Sequence, residues 1–371
     1  MLSILACGNC GHVRRMPGRT LPRLAGRTRH DQPAPGSLLD SPATANARRS
    51  PDKDMPATAE TRTMLADHQR QALTEAIAQV NRLVLGKPEQ IDLAFVCLLA
   101  GGHLLIEDLP GLGKTTLARA LAATLGLDFQ RLQFTSDLLP SDILGVSIYD
   151  QNESRFRFHA GPIFAQLLLA DEINRAPPRT QSALLEAMAE QQVTVDGVCH
   201  TLPRPFFVIA TQNPLDLAGT YPLPDSQLDR FLLRLPLGYP DPEAEREMLA
   251  GADRRELIAQ SPMRLSSEDV LDLRRAVQQV HASPPLVAYV QALLAESRRR
   301  SELRAGLSPR AGLALLNAAR AHALLVGRDH VAPDDVQALF EAVAAHRLVP
   351  EAETDPRERV AQAILRAVAV D

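Results

Sequence analysis

Residues 107–116 read Glu107-Asp108-Leu109-Pro110-Gly111-Leu112-Gly113-Lys114-Thr115-Thr116, and this stretch decides the fold. The apolar run at 102–106 before it is typical of a buried strand, and residues 116–122 after it form a strong helix pattern. A glycine-rich turn between a strand and a helix brings backbone N–H groups together where they can bind phosphate oxygens. The stretch therefore predicts a phosphate-binding loop.

The residue types in this loop match that chemistry. Gly111 and Gly113 allow a tight turn, while Lys114 adds a mobile positive charge for the β and γ phosphates. The Thr115 hydroxyl is expected to bind Mg²⁺ between those phosphates. The predicted nucleotide-binding set is Pro110, Gly111, Leu112, Gly113, Lys114, Thr115 and Thr116. The alternative is an ordinary glycine-rich turn, and Asp108 does stand where the pattern G-x-x-x-x-G-K-[ST] has its first glycine.

Composition narrows the class of protein. The 371 residues predict about two domains with flanking segments, and 45% hydrophobic residues allow a sizeable core. Aromatic residues make up only 4%, Trp is absent and the net charge is −4, so nucleic-acid binding is not expected. No apolar run reaches the length of a membrane span.

The first 60 residues differ from the rest of the chain. They are rich in Pro, Gly, Arg and Ser, and we interpret them as a disordered basic extension. Cys7 and Cys10, followed by His12, suggest metal or redox chemistry, but the sequence has no second CxxC pair. Cys97 and Cys199 are interpreted as isolated thiols, buried or on a hairpin, which makes a reducing cytoplasm the expected location.

Acidic and amide residues follow two further buried strands. Residues 167–170 are apolar and lead into Asp171 and Glu172, which are costly to bury without a cation or polar partners. Asp171 is expected to hold Mg²⁺, and Glu172 to orient or deprotonate the water that attacks the γ-phosphate. Asn213, after the strand at 206–211, can bind both that water and the phosphate. The alternatives are a solvent-facing acidic strand end and an ordinary turn asparagine.

The remaining patterns predict hairpins and helices around this core. Alternation predicts hairpins at 146–158 and at 192–201, the second with an acidic Asp196-Gly197 tip. Helices are predicted at 64–84, 90–100, 137–144, from 161 onwards, and at 180–190, 244–257, 266–280, 285–300, 310–325 and 333–346. Ser308 and Pro309 open one of these helices with Arg310 in its first turn, against the helix dipole. This placement indicates an anionic partner for Arg310, with plain solvent exposure as the alternative.

From about residue 65 to 370 the chain resembles the MoxR family of AAA+ ATPases. The resemblance rests on PGLGKTTLARALA, on LLLADEINRAPPRTQSALLEAMAEQQVTVDG, and on ATQNP and DSQLDRF. It implies an α/β P-loop module at 61–238, with a central parallel sheet flanked by helices and β-hairpin inserts, and a C-terminal all-helical lid at 239–371. Asp108 and Asp225 are departures from the family pattern.

The resemblance also assigns roles to residues. Gly113, Lys114 and Thr115 match Walker A, while Asp171 and Glu172 match Walker B. Asn213 matches sensor 1 and Arg310 matches sensor 2. Arg230 matches an arginine directed at the neighbouring subunit's nucleotide, a role that also fits its charge. A surface salt bridge of Arg230 with Asp229 or Asp225 is the alternative, and Arg175 is a competing interface arginine.

The family implies ATP as the nucleotide, and the sequence has no NKxD guanine-reading motif. It also implies a homo-oligomer, which we expect to be a hexameric ring. The family further implies that the backbone of residues 84–86 lies near the adenine base. Three outputs stay open: chaperone-like remodelling of a partner, often with a von Willebrand factor A domain protein, a metal-chelatase motor, and a nucleic-acid motor. The last is disfavoured because the hairpin tip at Asp196 is acidic.

Overall fold

The computed structural model describes residues 66–215, 219–351 and 356–370. The predicted extension at 1–60, with Cys7 and Cys10, lies outside the described residues. Of the two thiols inside them, Cys97 is buried and Cys199 is exposed on a hairpin, and both are free, as predicted.

A parallel sheet of five strands forms the centre of the molecule. The strands are β1 (Leu104–Glu107), β2 (Phe129–Gln133), β5 (Leu167–Asp171), β8 (Phe207–Gln212) and β9 (Leu233–Leu235). Their order in the sheet is β2-β5-β8-β1-β9, and every neighbouring pair runs parallel. Because parallel strands end at the same edge of a sheet, the carboxyl ends of β1, β5 and β8 lie side by side.

The two faces of this sheet are buried against different layers. Alternate side chains point to opposite faces, so Leu167 and Leu169 join one apolar cluster while Leu168 and Ala170 join the other. The first cluster includes the helix after the phosphate loop and extends into the C-terminal helices, and the second includes the helix Pro178–Glu190. The central strands β1, β5 and β8 are therefore nearly continuous apolar runs with polar side chains at their ends, whereas the edge strand β2 carries polar side chains along its length.

Helices of the sheet layer follow the predicted pattern with two differences. The helix predicted at 137–144 forms only over its second half, and the helix expected from residue 161 is a single 3-10 turn, Pro162–Phe164. That second prediction was wrong because the chain must re-enter the sheet at Leu167, which leaves no room for a longer helix. The helices are α1 (Asp67–Leu83), α2 (Pro88–Leu99), α3 (Lys114–Thr124), α4 (Pro140–Leu144), α5 (Pro178–Glu190) and α6 (Asp225–Leu228).

Two hairpins project from this layer, as predicted. They are formed by β3 (Gly145–Asp150) with β4 (Arg155–Ala160), and by β6 (Gln192–Val195) with β7 (Val198–Thr201). Asp196 and Gly197 both adopt positive φ, which the tight turn requires. Phe158 stacks on His200 with ring centroids 4.0 Å apart, so the two hairpins pack against each other.

The C-terminal part is helical, with one short strand pair. The helix predicted at 244–257 is two helices, because Gly251 ends the first in an extended conformation and Asp253 caps the second by accepting from Arg255 N. The antiparallel pair β10 (Leu303–Ala305) with β11 (Val349–Pro350) and the last helix were not predicted. The helices are α7 (Pro242–Ala250), α8 (Arg254–Ala259), α9 (Ser267–Gln279), α10 (Pro284–Arg299), α11 (Pro309–Leu325), α12 (Pro333–Ala344) and α13 (Arg357–Ala367).

Within the described ranges, no helix combines the length and the apolar character needed to cross a bilayer.

Candidate functional site

The predicted phosphate loop connects β1 to α3 at the sheet edge. Gly111 and Gly113 have φ of +86° and +93°, values that L side chains rarely adopt, so glycine is required at both positions. Gly113 is the N-cap of α3, and the free N–H groups of the first helical turn therefore face the loop. The strand, loop and helix arrangement predicted from the sequence is confirmed.

Lys114 is the first residue of α3 and is buried. Its Nζ donates to the backbone carbonyl of Asp108 at 2.5 Å, which folds the side chain back over the loop. Burial lowers the pKa of Lys114, while the negative charges of Asp108, Asp171 and Glu172 raise it. A partly desolvated cation facing two acids is well placed to bind an anionic ligand at this edge.

Asp108 has a structural role in place of the missing glycine. Its Oδ1 accepts from Leu109 N at 2.8 Å, and its Oδ2 accepts from Gly238 N at 2.6 Å. The carboxylate therefore joins the start of the phosphate loop to the segment that leads from β9 to α7. Sequence reasoning treated this residue only as a departure from the pattern.

Asp171 ends β5 with both carboxylate oxygens in hydrogen bonds. Thr211 at the end of β8 donates its hydroxyl to Oδ1 at 2.6 Å, and Arg131 of β2 donates to Oδ2 from Nη2 at 2.6 Å and from Nε at 3.2 Å. The neighbouring strands on each side thus supply one partner each. Neither Arg131 nor Thr211 was singled out from the sequence, although the position of Thr211, a polar residue near the end of a buried strand, is a usable signal.

Glu172 lies just beyond the strand and adopts the left-handed conformation, with φ of +58°. Its N–H donates to Thr211 Oγ1 at 2.9 Å, and its carboxylate accepts from Gln133 Nε2 at 2.7 Å and pairs with Arg175 Nε at 2.9 Å. A non-glycine residue held at positive φ needs support from its surroundings, and Thr211 provides it here. Arg175, which the sequence analysis named as a competing interface arginine, is therefore a partner of Glu172 within this chain.

Asn213 follows β8 directly and is buried. Its Oδ1 accepts from Leu215 N at 3.2 Å, and it lines a cavity of about 270 Å³ with Asn174 and Gln212. Among the described residues, Asn174 Oδ1 and Gln212 Nε2 have no hydrogen-bond partner. The cavity beside Asn213 is therefore polar enough to hold water.

A second cavity, of about 360 Å³, lies beside the phosphate loop. Loop residues Pro110 to Gly113 and Thr116 line one side of it, and Val84 and Leu85 line another. A third side is lined by Tyr239, which precedes α7, and by Met248 and Leu249 in the last turn of α7, and all three side chains are exposed. The buried Lys87 donates to Tyr239 O at 2.6 Å and joins the two walls. This cavity is largely apolar and adjoins the phosphate loop, so it suits a nucleotide base.

The two predicted arginines occupy a different region from this cavity. Arg230 donates from Nη1 to Leu185 O of α5 at 2.7 Å, and Arg310 Nε lies 3.8 Å from Asp229 Oδ2. Arg310 is largely exposed, and Ser308 caps its helix as predicted. The acids named as alternative partners of Arg230 bind other residues, since Asp229 pairs with Arg347 at 2.7 Å and Asp225 pairs with Arg357 at 3.0 Å.

The residues at the sheet edge fit a magnesium ion that is held mainly by phosphate. Thr115 lies in the first turn of α3 and Asp171 ends β5, and both offer the hard oxygen atoms that Mg²⁺ prefers. Within the part of the chain that the structure describes, no three His, Cys, Asp or Glu side chains cluster as a metal cage. Mg²⁺ commonly uses one or two protein oxygens together with phosphates and water, and the donor types of Thr115 and Asp171 fit such a site.

Comparison with known proteins agrees with this geometry. The model of the ATPase family associated with various cellular activities (AAA) matches residues 103–233, and the AAA lid domain matches residues 295–368. A crystal structure described as a candidate ATPase from Cytophaga hutchinsonii superposes with a TM-score of 0.76 at 38% identity, covering 82% of this chain and 96% of that one. The fold and the matched segments define an AAA ATPase, an enzyme that hydrolyses ATP.

Relatives that align over most of this chain narrow the class of AAA ATPase further. The uncharacterized protein YeaC of Bacillus subtilis is 46% identical over 296 residues, which cover 80% of this chain and 92% of YeaC. Chaperone MoxR1 of Mycobacterium tuberculosis is 42% identical and is covered to 75%, and Protein MoxR of Paracoccus denitrificans is 34% identical and is covered to 90%. The chain belongs to the MoxR family of AAA+ ATPases.

Proposed function

We propose that this ATPase works as a homo-oligomeric, chaperone-like machine that uses ATP hydrolysis to remodel or activate a partner protein. The observation that carries the proposal is the convergence of Lys114, Asp171 and Glu172 at one sheet edge, beside a largely apolar cavity of about 360 Å³. The name of one relative, Chaperone MoxR1, supports the proposal that the energy of hydrolysis is used for chaperone-like remodelling.

Each residue of the site has a task in this proposal. The first-turn N–H groups of α3 and Lys114 bind the phosphates, while Thr115 and Asp171 would hold Mg²⁺, which supplies charge neutralisation between the phosphates. Glu172 orients the attacking water and accepts its proton, and Asn213 binds the water and the γ-phosphate from the next strand. The Glu172 carboxylate is held for this task by Gln133 at the end of β2 and by Arg175.

Arg230 and Arg310 are proposed to act on the nucleotide of a neighbouring subunit. Both lie around Asp229, and the cavity beside the phosphate loop has neither of them in its lining. Since they do not line their own nucleotide cavity, a second copy of the chain is the natural recipient of their charge. Hydrolysis then depends on assembly, which we propose is a ring of six subunits.

The partner is proposed to be a protein rather than a nucleic acid. The β3–β4 hairpin carries exposed apolar residues such as Tyr149 and Phe156, and of its two arginines Arg155 pairs with Glu153 at 2.5 Å, which leaves Arg157 as a single exposed basic group. A nucleic-acid motor needs several basic groups at such positions. A metal-chelatase motor remains the second candidate, because it uses the same ATPase with a different partner.

An ATP-dependent trap tests this function. The Glu172→Gln chain should bind ATP without turnover and hold its partner, which is isolated with the tagged protein and identified by mass spectrometry. The control is the double variant Lys114→Ala/Glu172→Gln, which should bind no ATP and retain no partner. The captured protein is then purified, and its conformation or activity is followed with the wild-type chain and ATP.

ATP-dependent capture followed by a change in the partner supports the proposal, and a partner that contains a von Willebrand factor A domain fits it best. Capture of a metal-inserting complex would transfer the chain to the chelatase class. Stimulation of ATPase activity by duplex DNA, without protein capture, would overturn the proposal.

A further inference from the structure

The ion pair between Arg131 and Asp171 lies where the metal is proposed to bind. Arg131 approaches Asp171 Oδ2 with two nitrogens, at 2.6 and 3.2 Å, while Thr211 binds Oδ1 at 2.6 Å. Both oxygens of this carboxylate are thus engaged by protein donors. A cation that binds Oδ2 must therefore replace the guanidinium or share the oxygen with it.

The sheet register explains why these two side chains meet. β2 and β5 pair in parallel with Arg131 opposite Leu169 and Gln133 opposite Asp171. Residues two apart on a strand share a face, so Arg131 is the diagonal neighbour of Asp171 on the face that α3 covers. The contact is a direct consequence of the strand pairing and does not depend on a loop conformation.

The two partners differ in their freedom to move. The Arg131 side chain is 44% exposed, whereas that of Asp171 is 12% exposed. An exposed arginine at the sheet rim can leave an ion pair at low cost, because water solvates it on departure. The buried carboxylate stays in place and needs a cation beside it. Arg131 is thus the movable member of the pair.

A guanidinium and a divalent ion cannot share Oδ2 without repulsion, since both are cations in a partly desolvated site. Arg131 also has a second acceptor available, because its Nη2 lies 3.2 Å from Gln133 Oε1 on the same strand. The displaced guanidinium can therefore remain hydrogen-bonded on β2 after it leaves the carboxylate.

We propose that Arg131 competes with Mg²⁺ for Asp171 and thereby sets the magnesium concentration at which this ATPase binds its nucleotide. The inference rests on the role proposed above for Asp171 as a metal ligand. Arg131 is a positioning residue in this scheme, since it acts through the carboxylate and not on the phosphates.

The test is a magnesium titration of nucleotide binding, followed by the anisotropy of a fluorescent, non-hydrolysable ATP analogue on the full chain. Arg131→Gln should lower the Mg²⁺ concentration for half-maximal binding about two- to fivefold, the range expected for an exposed ion pair. The matched control is Arg119→Gln, which removes the same charge from the guanidinium that packs over Phe129, 6.0 Å from the ring centroid. The Arg119→Gln titration should match wild type.

Thermal unfolding gives a second readout. Arg131→Gln should lower the melting temperature without nucleotide, and the deficit should shrink at saturating Mg²⁺ and analogue. An equal deficit in both conditions, or an unchanged or higher magnesium requirement, would overturn the inference. Asp171→Asn distinguishes the proposed metal role of Asp171 from the proposed competition by Arg131. If Asp171→Asn leaves the magnesium dependence unchanged, the metal role of Asp171 fails. If it alters the dependence while Arg131→Gln does not, only the competition by Arg131 fails.

Discussion

At the residue scale, the Asp108 side chain fixes the start of the phosphate loop at a position where the loop pattern has glycine. A glycine at the first position of the loop pattern gives freedom of φ, whereas Asp108 instead fixes the loop with hydrogen bonds to Leu109 N and Gly238 N. Its backbone carbonyl also accepts from Lys114. The departure from the pattern therefore couples the phosphate loop to the segment before α7.

We expect Asp108→Ala to weaken nucleotide binding by about tenfold, because charge-assisted hydrogen bonds that fix the loop contribute about 1.5–3 kcal/mol each and part of that is recovered by water. Asp108→Asn keeps one acceptor oxygen, so its nucleotide affinity should lie between those of wild type and Asp108→Ala. Isothermal titration with ADP measures the effect. Wild-type affinity in Asp108→Ala would show that the bridge to Gly238 does not position the loop.

At the acidic end of β5, the sequence predicted the type of partner but not which residue supplies it. The buried strand that ends in two acids predicted a cation or polar partners for them, and the Asp171 carboxylate has Arg131 and Thr211 beside it. The sequence could not name that arginine, because the pairing of β2 with β5 joins segments about forty residues apart.

At the scale of elements, the junction between α11 and α12 contains a buried charge network. The Asp335 side chain is fully buried and accepts from His322 Nδ1 at 2.6 Å, from Arg328 at 2.5 and 2.7 Å, and from Ala332 N at 2.8 Å. Burial raises the pKa of Asp335, but the hydrogen bonds from His322, Arg328 and Ala332 outweigh it and leave the pKa at about 2.

A carboxyl whose folded pKa is below its unfolded value stabilises the fold above the unfolded pKa, and this contribution is lost as the pH falls through the folded pKa. We therefore expect Asp335→Asn to reduce the free energy of unfolding by about 2–3 kcal/mol near neutral pH. The difference from wild type should shrink between about pH 4 and pH 2. Urea unfolding at several pH values measures it.

The control for this change is Asp334→Asn, which removes an exposed acid from the same helical turn and should shift stability little. A difference from wild type that stays constant down to pH 2 would show that packing, and not the charge of Asp335, provides the stabilisation.

The elements themselves were largely predictable. Amphipathic periodicity gave α1, α2 and α9 to α12 to within a few residues, and the Asp196-Gly197 turn gave its hairpin. The errors occurred where context competes with periodicity. Gly251 divided one predicted helix, and the return to the sheet at Leu167 shortened another. The β10–β11 pair joins segments more than forty residues apart, which no local pattern reports.

At the scale of the whole molecule, the site is proposed to be complete only in an assembly. Arg230 and Arg310 lie around Asp229, and Arg347 links Asp229 to the C-terminal helices with its Nε 2.7 Å from Oδ1. The segment that carries Arg230 is thus attached to the lid by a buried ion pair. A movement of the lid would be transmitted to this segment.

We expect Arg230→Ala to lose ATPase activity, and mixing with Glu172→Gln subunits to restore part of it. In a mixed ring, an intact Glu172 in one subunit meets an intact Arg230 from its neighbour. Steady-state phosphate release as a function of mixing ratio measures the rescue, with a maximum at intermediate ratios.

The control for the mixing experiment is the double variant Glu172→Gln/Arg230→Ala, which supplies no arginine and should give no rescue. Equal activity with either partner would place Arg230 in a role within its own chain, such as the support of α5 through Leu185 O.

By itself, the sequence determined the nucleotide chemistry and most of the elements, because both depend on local order: glycines and a lysine between a strand and a helix, acids at a strand end, and apolar periodicity. Only the tertiary structure decided which side chains meet. Asp108 reaches Gly238, Arg131 reaches Asp171, and Arg310 lies beside Asp229. These contacts follow from strand order and from packing between the sheet layer and the lid, which join segments that are far apart along the chain and are therefore invisible to local patterns.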